Sequence, residues 1–350
     1  MRLDVYQKVF SAVRSEADFD DTQNYVSEGK YGRCKRMTMK PRIQIFVACH
    51  KPTYVLDNRL LVPIQVGTAS TEARYERMEY DNNGDNISAK NSQYCELTAQ
   101  YWAWKNTEND YYGFFHYRRY MSFANIYPVC ANGDLKGRKK GFPYIEIDDI
   151  RDDLTKFKLD ADYMEKQIGQ YDLITILREK IDTTAYKQFC QYHKAADLEW
   201  VLDILKRFYP QYNAAAQKYM NSKEVYYMNM YIMKKELFFR YMEWLFTILT
   251  EFEREIKKQR KEIEPRLMGF LAERLFGIFY TYQRENGAKC AELSYLRFYN
   301  TEIDRDMGST GSVRFFKLKP SKIIIKIDMR KLNRMFPPGS RRRIFLRRIF

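Results

Sequence analysis

Apolar residues fill Ile43–Cys49, IQIFVAC, with Gln44 alone interrupting and polar chain on both sides. A short run of this kind predicts a strand buried on both faces of a parallel sheet. Leu61–Val66 predicts a second short strand, Tyr111–Phe115 a third and Tyr171–Leu177 a fourth. Between them, Tyr94, Leu97, Tyr101 and Trp104 recur at helical spacing, so residues 93–105 predict one helix with an aromatic stripe, capped by Asn91 or Ser92. Helical periodicity dominates later, over Ala195–Phe208, Lys234–Lys261 and Glu264–Tyr282, the last opening near Pro265. In the second of these, Tyr241, Leu245, Ile248, Phe252 and Ile256 share one side. Residues 122–165 read as loop-rich, and Cys290–Phe298 and Lys322–Ile327 as late strands. Strands alternating with helices predict an α/β fold: a Rossmann-like half from about Arg42 to Arg178 with a mainly helical half after it.

The strand ends carry the unusual chemistry. Ile43–Cys49 runs into His50-Lys51-Pro52, and Tyr111–Phe115 into His116-Tyr117-Arg118-Arg119-Tyr120. Ligands of open α/β sheets bind outside the carboxyl ends of the strands. Two adjacent guanidinium groups there need open water or an anion, so the sequence points to a phosphate or diphosphate site. Of the two arginines, Arg118 is the one favoured to face the crevice. A solvated surface pair is the alternative.

Charge narrows the picture. The chain carries +15, but from Val313 to Phe350 thirteen Lys or Arg face Asp328 alone, so residues 1–312 hold only about +3. A basic tail on a nearly balanced body does not imply nucleic-acid binding. Six cysteines without a CxxC pair exclude a sequence-visible zinc site and suit a reducing compartment. No apolar run approaches the roughly eighteen residues of a membrane span.

Other candidate residues each have a structural alternative. Gly84-Asp85-Asn86 is a turn whose carboxylate suits ribose or sugar hydroxyls; Lys90 and Asn91 are otherwise a surface lysine and a helix cap. Glu273-Arg274 interrupts the apolar helix LMGFLAERLFGIFY, where a charged pair is costly unless paired or functional. Glu273 is therefore a candidate general base, with a structural ion pair as the alternative. His50, His116 and His193 are the chain's only histidines. The familiar phosphate-loop, dinucleotide, zinc-protease and nucleophile-elbow motifs are absent.

Strand-HKP, GDNIS-x-KN-x-x-YCELTA-x-YW-x-WKN, DYYGFFHYRRY, NMYIM and GFLAERLF together resemble a bacterial capsular and exopolysaccharide family, long catalogued as a domain of unknown function, DUF4422. The resemblance spans about Arg42–Tyr299. It implies a GT-A-like, nucleotide-sugar-binding Rossmann-type core that transfers a hexose, galactofuranose or galactose favoured, from a UDP-sugar to a lipid-linked glycan. Residues 41–300 are then the glycosyltransferase-like domain, 1–40 a poorly ordered extension or upstream sequence before a start at Met37 or Met39, and 301–350 a basic segment.

On this reading His50, Lys51 and Asp85 hold nucleotide or donor, with Asn86, Lys90, Asn91, Arg119, Tyr120, His193, Asn229 and Arg274 as further substrate contacts. His116 and Arg118 stabilise departing UDP, and Glu273 or Asp85 deprotonates the acceptor with inversion. Cations stand where such enzymes usually carry Asp-x-Asp, so no metal or other cofactor is expected; Asp304-Arg305-Asp306 is the only late Asp-x-Asp. The segment GSRRRIFLRRIF, with five arginines at about 1 kcal/mol each near anionic lipid, is expected to dock a cytoplasmic enzyme on the inner membrane face. The rival is a non-catalytic membrane- or polyanion-binding scaffold.

Overall fold

A computed structural model describes residues 40–137, 143–259 and 263–303. The expectations for residues 1–39, for Asp304 and Asp306, for Lys322–Ile327 and for the basic tail lie outside these residues. The chain divides after Glu302 into a large and a small unit, and the architecture below is that of the large one.

The strands are β1 (Ile43–Cys49), β2 (Leu61–Gln65), β3 (Glu79–Tyr80), β4 (Tyr111–His116), β5 (Arg119–Val129), β6 (Tyr144–Asp149), β7 (Leu173–Ile176), β8 (Glu179–Lys180), β9 (Glu224–Val225), β10 (Tyr231–Lys234) and β11 (Cys290–Asn300). All but the small β8–β9 pair belong to one nine-stranded sheet. β1 runs parallel between β2 and β4, with β3 on the outer edge of β2. β10 is antiparallel to both β4 and β7. β11 pairs parallel with β7 over Cys290–Leu293 and with β6 from Tyr295 onward, and antiparallel with β5. The result is a mixed parallel and antiparallel sheet with helices packed against it.

The helices are α1 (Asn91–Tyr94), α2 (Leu97–Asn106), α3 (Ala161–Ile168), α4 (Ala185–Cys190), α5 (Ala195–Phe208), α6 (Asn213–Met220), α7 (Lys235–Gln259) and α8 (Leu267–Glu285). Alternation along the central strands divides the core into two layers. Phe46, Tyr112 and Phe114 face a layer built with α2 and α5–α8. Ile45, Val47, Tyr111 and Phe115 face the other, with Met164 and Ile168 of α3 and residues of β5 and β11. The predicted stripe of α7 is buried throughout. Phe246 on that helix receives Tyr94, Tyr101 and Trp104 at 6.2, 5.0 and 6.2 Å between ring centroids.

Two expectations are corrected. The helix over 93–105 is broken: Cys95 adopts φ 50° and ψ −131°, ending α1 before α2 begins. Asn91 holds the break, donating to the Cys95 carbonyl (2.8 Å) and to Thr98 Oγ1 (3.1 Å). Residues 122–165 hold most of β5, β6 and the start of α3 rather than mainly loop. β5 owes its eleven residues to pairing with β11, far along the chain.

Candidate active site

β4 does not simply end in cations. It turns back through Tyr117 and Arg118 into β5, so His116 pairs across a two-residue hairpin loop with Arg119. Paired residues project on one face, which places His116 and Arg119 side by side and leaves Arg118 at the tip. Arg118 is exposed and Arg119 half-buried, so the more enclosed guanidinium is that of Arg119, not the one favoured from sequence. His50, at the end of β1, stands 6.2 Å from His116 and 4.8 Å from Tyr117 between ring centroids. The Arg118 guanidinium lies 5.2 Å and the Lys51 ammonium 5.8 Å from the Tyr117 ring, and Lys51 also pairs with Glu302 at 3.2 Å.

Burial is the main force on His116, lowering its pKa well below 6.5, and Arg119, His50, Arg118 and Arg266 push the same way. The imidazole is therefore neutral at pH 7. The Arg118 N–H points at its Nδ1 (3.4 Å), leaving Nε2 to carry the proton.

Facing these cations is an acidic wall. Glu96 follows the break at Cys95, and its Oε1 accepts from Asn229 Nδ2 at 2.8 Å. The same amide donates to the Gly269 carbonyl (3.2 Å), tying the Glu96 turn to α8. Glu273, on α8, accepts the Met228 N–H at 2.6 Å through Oε1, while its Oε2 stands 3.8 Å from Arg274 Nη1. Burial raises both carboxyls. Glu273 reaches about 7, helped by the neighbouring Glu96 charge and opposed by Arg274, the Met228 N–H and Arg266. Its side chain stays 14% exposed, so solvent and ligand can reach it.

The backbone under this wall is strained. Of the six non-glycine residues with positive φ among the described residues, four belong here: Cys95, Met228, Asn229 and Arg266. Left-handed non-glycine residues cost of order 1–3 kcal/mol each and cluster where function holds them. Arg266, which caps α8 with φ 66°, bears electrostatically on His50, His116, Glu96 and Glu273 together. Glu179, after β7, joins through Arg119.

Strand-end chemistry thus brings His50, His116, Arg118, Arg119, Asn229 and Glu273 into one region, with Lys51 beside it. Arg274 lies behind Glu273, 5.4 Å from the Tyr227 ring, and hydrogen-bonds Gln188. His193 sits on the helical rim, 4.4 Å from the Phe270 ring and 3.5 Å from Glu264.

Five other candidates lie elsewhere. Tyr120 is 0% exposed and packs on Phe115 and Phe298, so it is core. Lys90 is engaged by Glu253 (2.8 Å), and Asn91 serves the Cys95 turn. Asp85 and Asn86 are at the opposite edge of the sheet. Asp85 accepts from Tyr101 OH (3.2 Å), and its N–H bonds Asn106 Oδ1 (3.1 Å) at the far end of α2. Ten helical residues, roughly 15 Å, separate that end from Glu96. Asp85 is therefore not poised for base chemistry at this cluster.

Sequence reasoning missed Glu96, Arg266 and Glu179. Only Glu179 carried a signal, since it follows a predicted strand as the histidines do. Among the described residues no group of His, Cys, Asp or Glu is arranged to hold a metal ion. No described helix is long and apolar enough to cross a membrane.

The apo structure of the WbbM bifunctional glycosyltransferase is similar to this chain, with 28% identity and a TM-score of 0.65 over 74% of this chain. The chain spans 46% of that protein's length. No curated protein matches it. The profile of the domain of unknown function DUF4422 matches residues 44–285, and the chain belongs to that family.

Proposed function

We propose that the chain is a glycosyltransferase that moves a hexose, galactofuranose or galactose by preference, from a UDP-sugar to a lipid-linked glycan in surface-polysaccharide assembly. The observation that carries this reading is the meeting, at one sheet edge, of a cationic wall with a carboxyl raised to about 7. The similarity to a bifunctional glycosyltransferase supports it.

The chemistry follows from the two walls. Glu273, ionised near neutral pH, takes the proton of an acceptor hydroxyl as that oxygen attacks the anomeric carbon. The bond from that carbon to the diphosphate oxygen breaks on the opposite side, which inverts the centre. The electron pair leaves with UDP, whose charge is met by Arg118, Arg119 and the Nε2–H of His116. Asn229 orients Glu96, and Arg266 bridges the walls electrostatically.

Cations replace a metal in this scheme, so turnover is expected to persist in EDTA. Loss of activity in EDTA with recovery on adding manganese would refute that part. The basic tail would place the enzyme on an anionic membrane face, where a lipid-borne acceptor resides. Truncation after Pro338 is expected to abolish pelleting with anionic liposomes while sparing transfer to a soluble acceptor. The deciding experiment is mass spectrometry of products from a panel of UDP-sugars with a lipid-acceptor mimic. A glycosylated product from wild type and at least a hundredfold less from Glu273→Gln is expected, about the loss of a general base; no product with any donor would remove the reading.

A further inference from the structure

A second charged site lies around Arg178, which follows β7. It is a cavity of about 200 Å³ whose lining includes Asn132-Gly133-Asp134, Arg178, Lys218, Ser222 and Arg284. Its two arginines differ in one respect. Arg178 is fully compensated: its Nε donates to Glu292 Oε2 (2.9 Å), its Nη2 to Glu292 Oε1, and its Nη1 to Glu224 (2.9 Å) and to the Gly133 carbonyl (2.9 Å). Arg284 is not. It is 6% exposed, its Nε has no hydrogen-bond partner, and its nearest acid among the described residues, Glu285, stands 3.9 Å away. Glu285 is itself taken by Lys218.

A buried guanidinium without an acid is costly, because desolvation is not offset by a paired charge. Its surroundings hold it in place. A Cβ on Gly133 would meet Arg284 Nη1 at 3.2 Å and Cζ at 3.3 Å, so a bare backbone covers the flat face of the guanidinium. Gly133 has φ +99°, a conformation glycine supplies without strain. The Arg284 guanidinium carbon also stands 5.9 Å from the centre of the Tyr280 ring. With Gly133 and Tyr280 packed near the guanidinium, its unpartnered hydrogen-bonding edge is the part left to serve a ligand.

The geometry points to this cavity as a binding site for a phosphate-sized oxyanion, held by the free edge of Arg284. The planar edge matches two oxygens of such an anion, and the volume is below that of ordinary substrate pockets, which begin near roughly 300 Å³. Ser222 is also on the cavity wall, where its hydroxyl accepts from the Glu224 N–H (2.9 Å) and donates to the Glu224 carbonyl (3.3 Å). This inference does not rest on the transferase reading, and either can fail alone.

The test is calorimetric titration of the full chain with inorganic phosphate. The strand-edge cations also attract phosphate, so the titration is repeated in an Arg118→Ala/Arg119→Ala background. One equivalent is expected to persist there and to weaken at least tenfold in Arg284→Gln. Ser222→Asp would place a carboxylate inside the cavity. It is expected to abolish phosphate binding and to raise the thermal midpoint by roughly 2 °C, as an internal anion compensates the arginine. Phosphate binding that survives Arg284→Gln or Ser222→Asp would overturn the assignment. So would binding lost in the Arg118/Arg119 background instead. Should Arg284→Gln not fold, Ser222→Asp decides alone.

Discussion

The two walls of the strand-edge site are built by different means. The cationic wall is local: His116, Arg118 and Arg119 lie within four consecutive residues, shaped by one hairpin, and His50 ends the adjacent parallel strand. The acidic wall is assembled from three distant segments, at Glu96, Met228-Asn229 and Arg266–Glu273, clamped by three hydrogen bonds and four left-handed residues. The difference assigns different work to each. A hairpin tip tolerates adjustment as an anion arrives, whereas a general base must be held at a fixed point to meet an acceptor hydroxyl. The acidic wall therefore carries the tighter geometric demand, and damage to it is expected to cost more.

The largest effect should come from that wall. Glu273→Gln keeps the shape and the bond from the Met228 N–H but removes the base, so kcat should fall roughly 10²–10⁴-fold while UDP still binds. Activity within tenfold of wild type would take Glu273 out of the reaction. Glu96→Gln is expected to fall between that variant and wild type, because it removes a charge that helps raise Glu273 without removing the base.

Next comes the cationic wall. Arg119→Ala should lower turnover about 100-fold by removing a donor to the leaving diphosphate. Arg118→Ala should do less, being exposed at the tip where water can substitute. A larger loss for Arg118 would invert the ranking and make the tip, not the enclosed pair, the diphosphate contact.

These two walls also mark what was legible. β1 and α5 have the bounds their apolar patterns predict, because one is a compact apolar run set between polar residues and the other a long segment of helical period. The cationic wall could be read for the same reason, since its chemistry follows an obvious strand. The break at Cys95 could not. The stripe Tyr94, Leu97, Tyr101 and Trp104 continues across it, as α1 and α2 both pack on α7, and Asn91 enforces the turn through contacts that periodicity does not encode. Arg266 was hidden by Pro265, which suggested an earlier helix start and masked a left-handed cap. Asp85 misled for the opposite reason: a turn carboxylate looks the same from sequence at either edge of a sheet.

Titration sharpens the contrast further. Glu273 has a folded pKa of about 7 against an ordinary 4.5, so the folded state holds more protons between those values. Stability should fall as pH rises through that window, and kcat/KM should rise toward and above pH 7. The melting temperature of wild type minus that of Glu273→Gln should follow the same slope; a flat difference would show an unperturbed carboxyl. His116 is shifted the other way, so its contribution to stability is present above about 6.5 and declines as pH falls through that value. An anion beside His116 restores its basicity, so UDP binding should take up protons, seen as a buffer-dependent calorimetric enthalpy. Buffer-independent heats would separate His116 from the diphosphate.

The smallest effect is expected where sequence first drew attention. Asp85 carries a carboxylate in the densest stretch of the family resemblance, yet its partners are Tyr101 and Asn106, at the end of α2 remote from Glu96. Asp85→Asn keeps the turn, because the Asp85 N–H still meets Asn106 Oδ1 and its carbonyl still accepts from Asn106 Nδ2 at 2.8 Å. What changes is one exposed charge, and substitutions of that kind stay within about 0.5 kcal/mol, or roughly twofold in rate if they reach the reaction at all. Steady-state kinetics of Asp85→Asn should therefore match wild type within about that factor in both kcat and KM. A hundredfold loss would mean that the donor reaches across the sheet from one edge to the other, and that the strand-edge cluster is only half of the site.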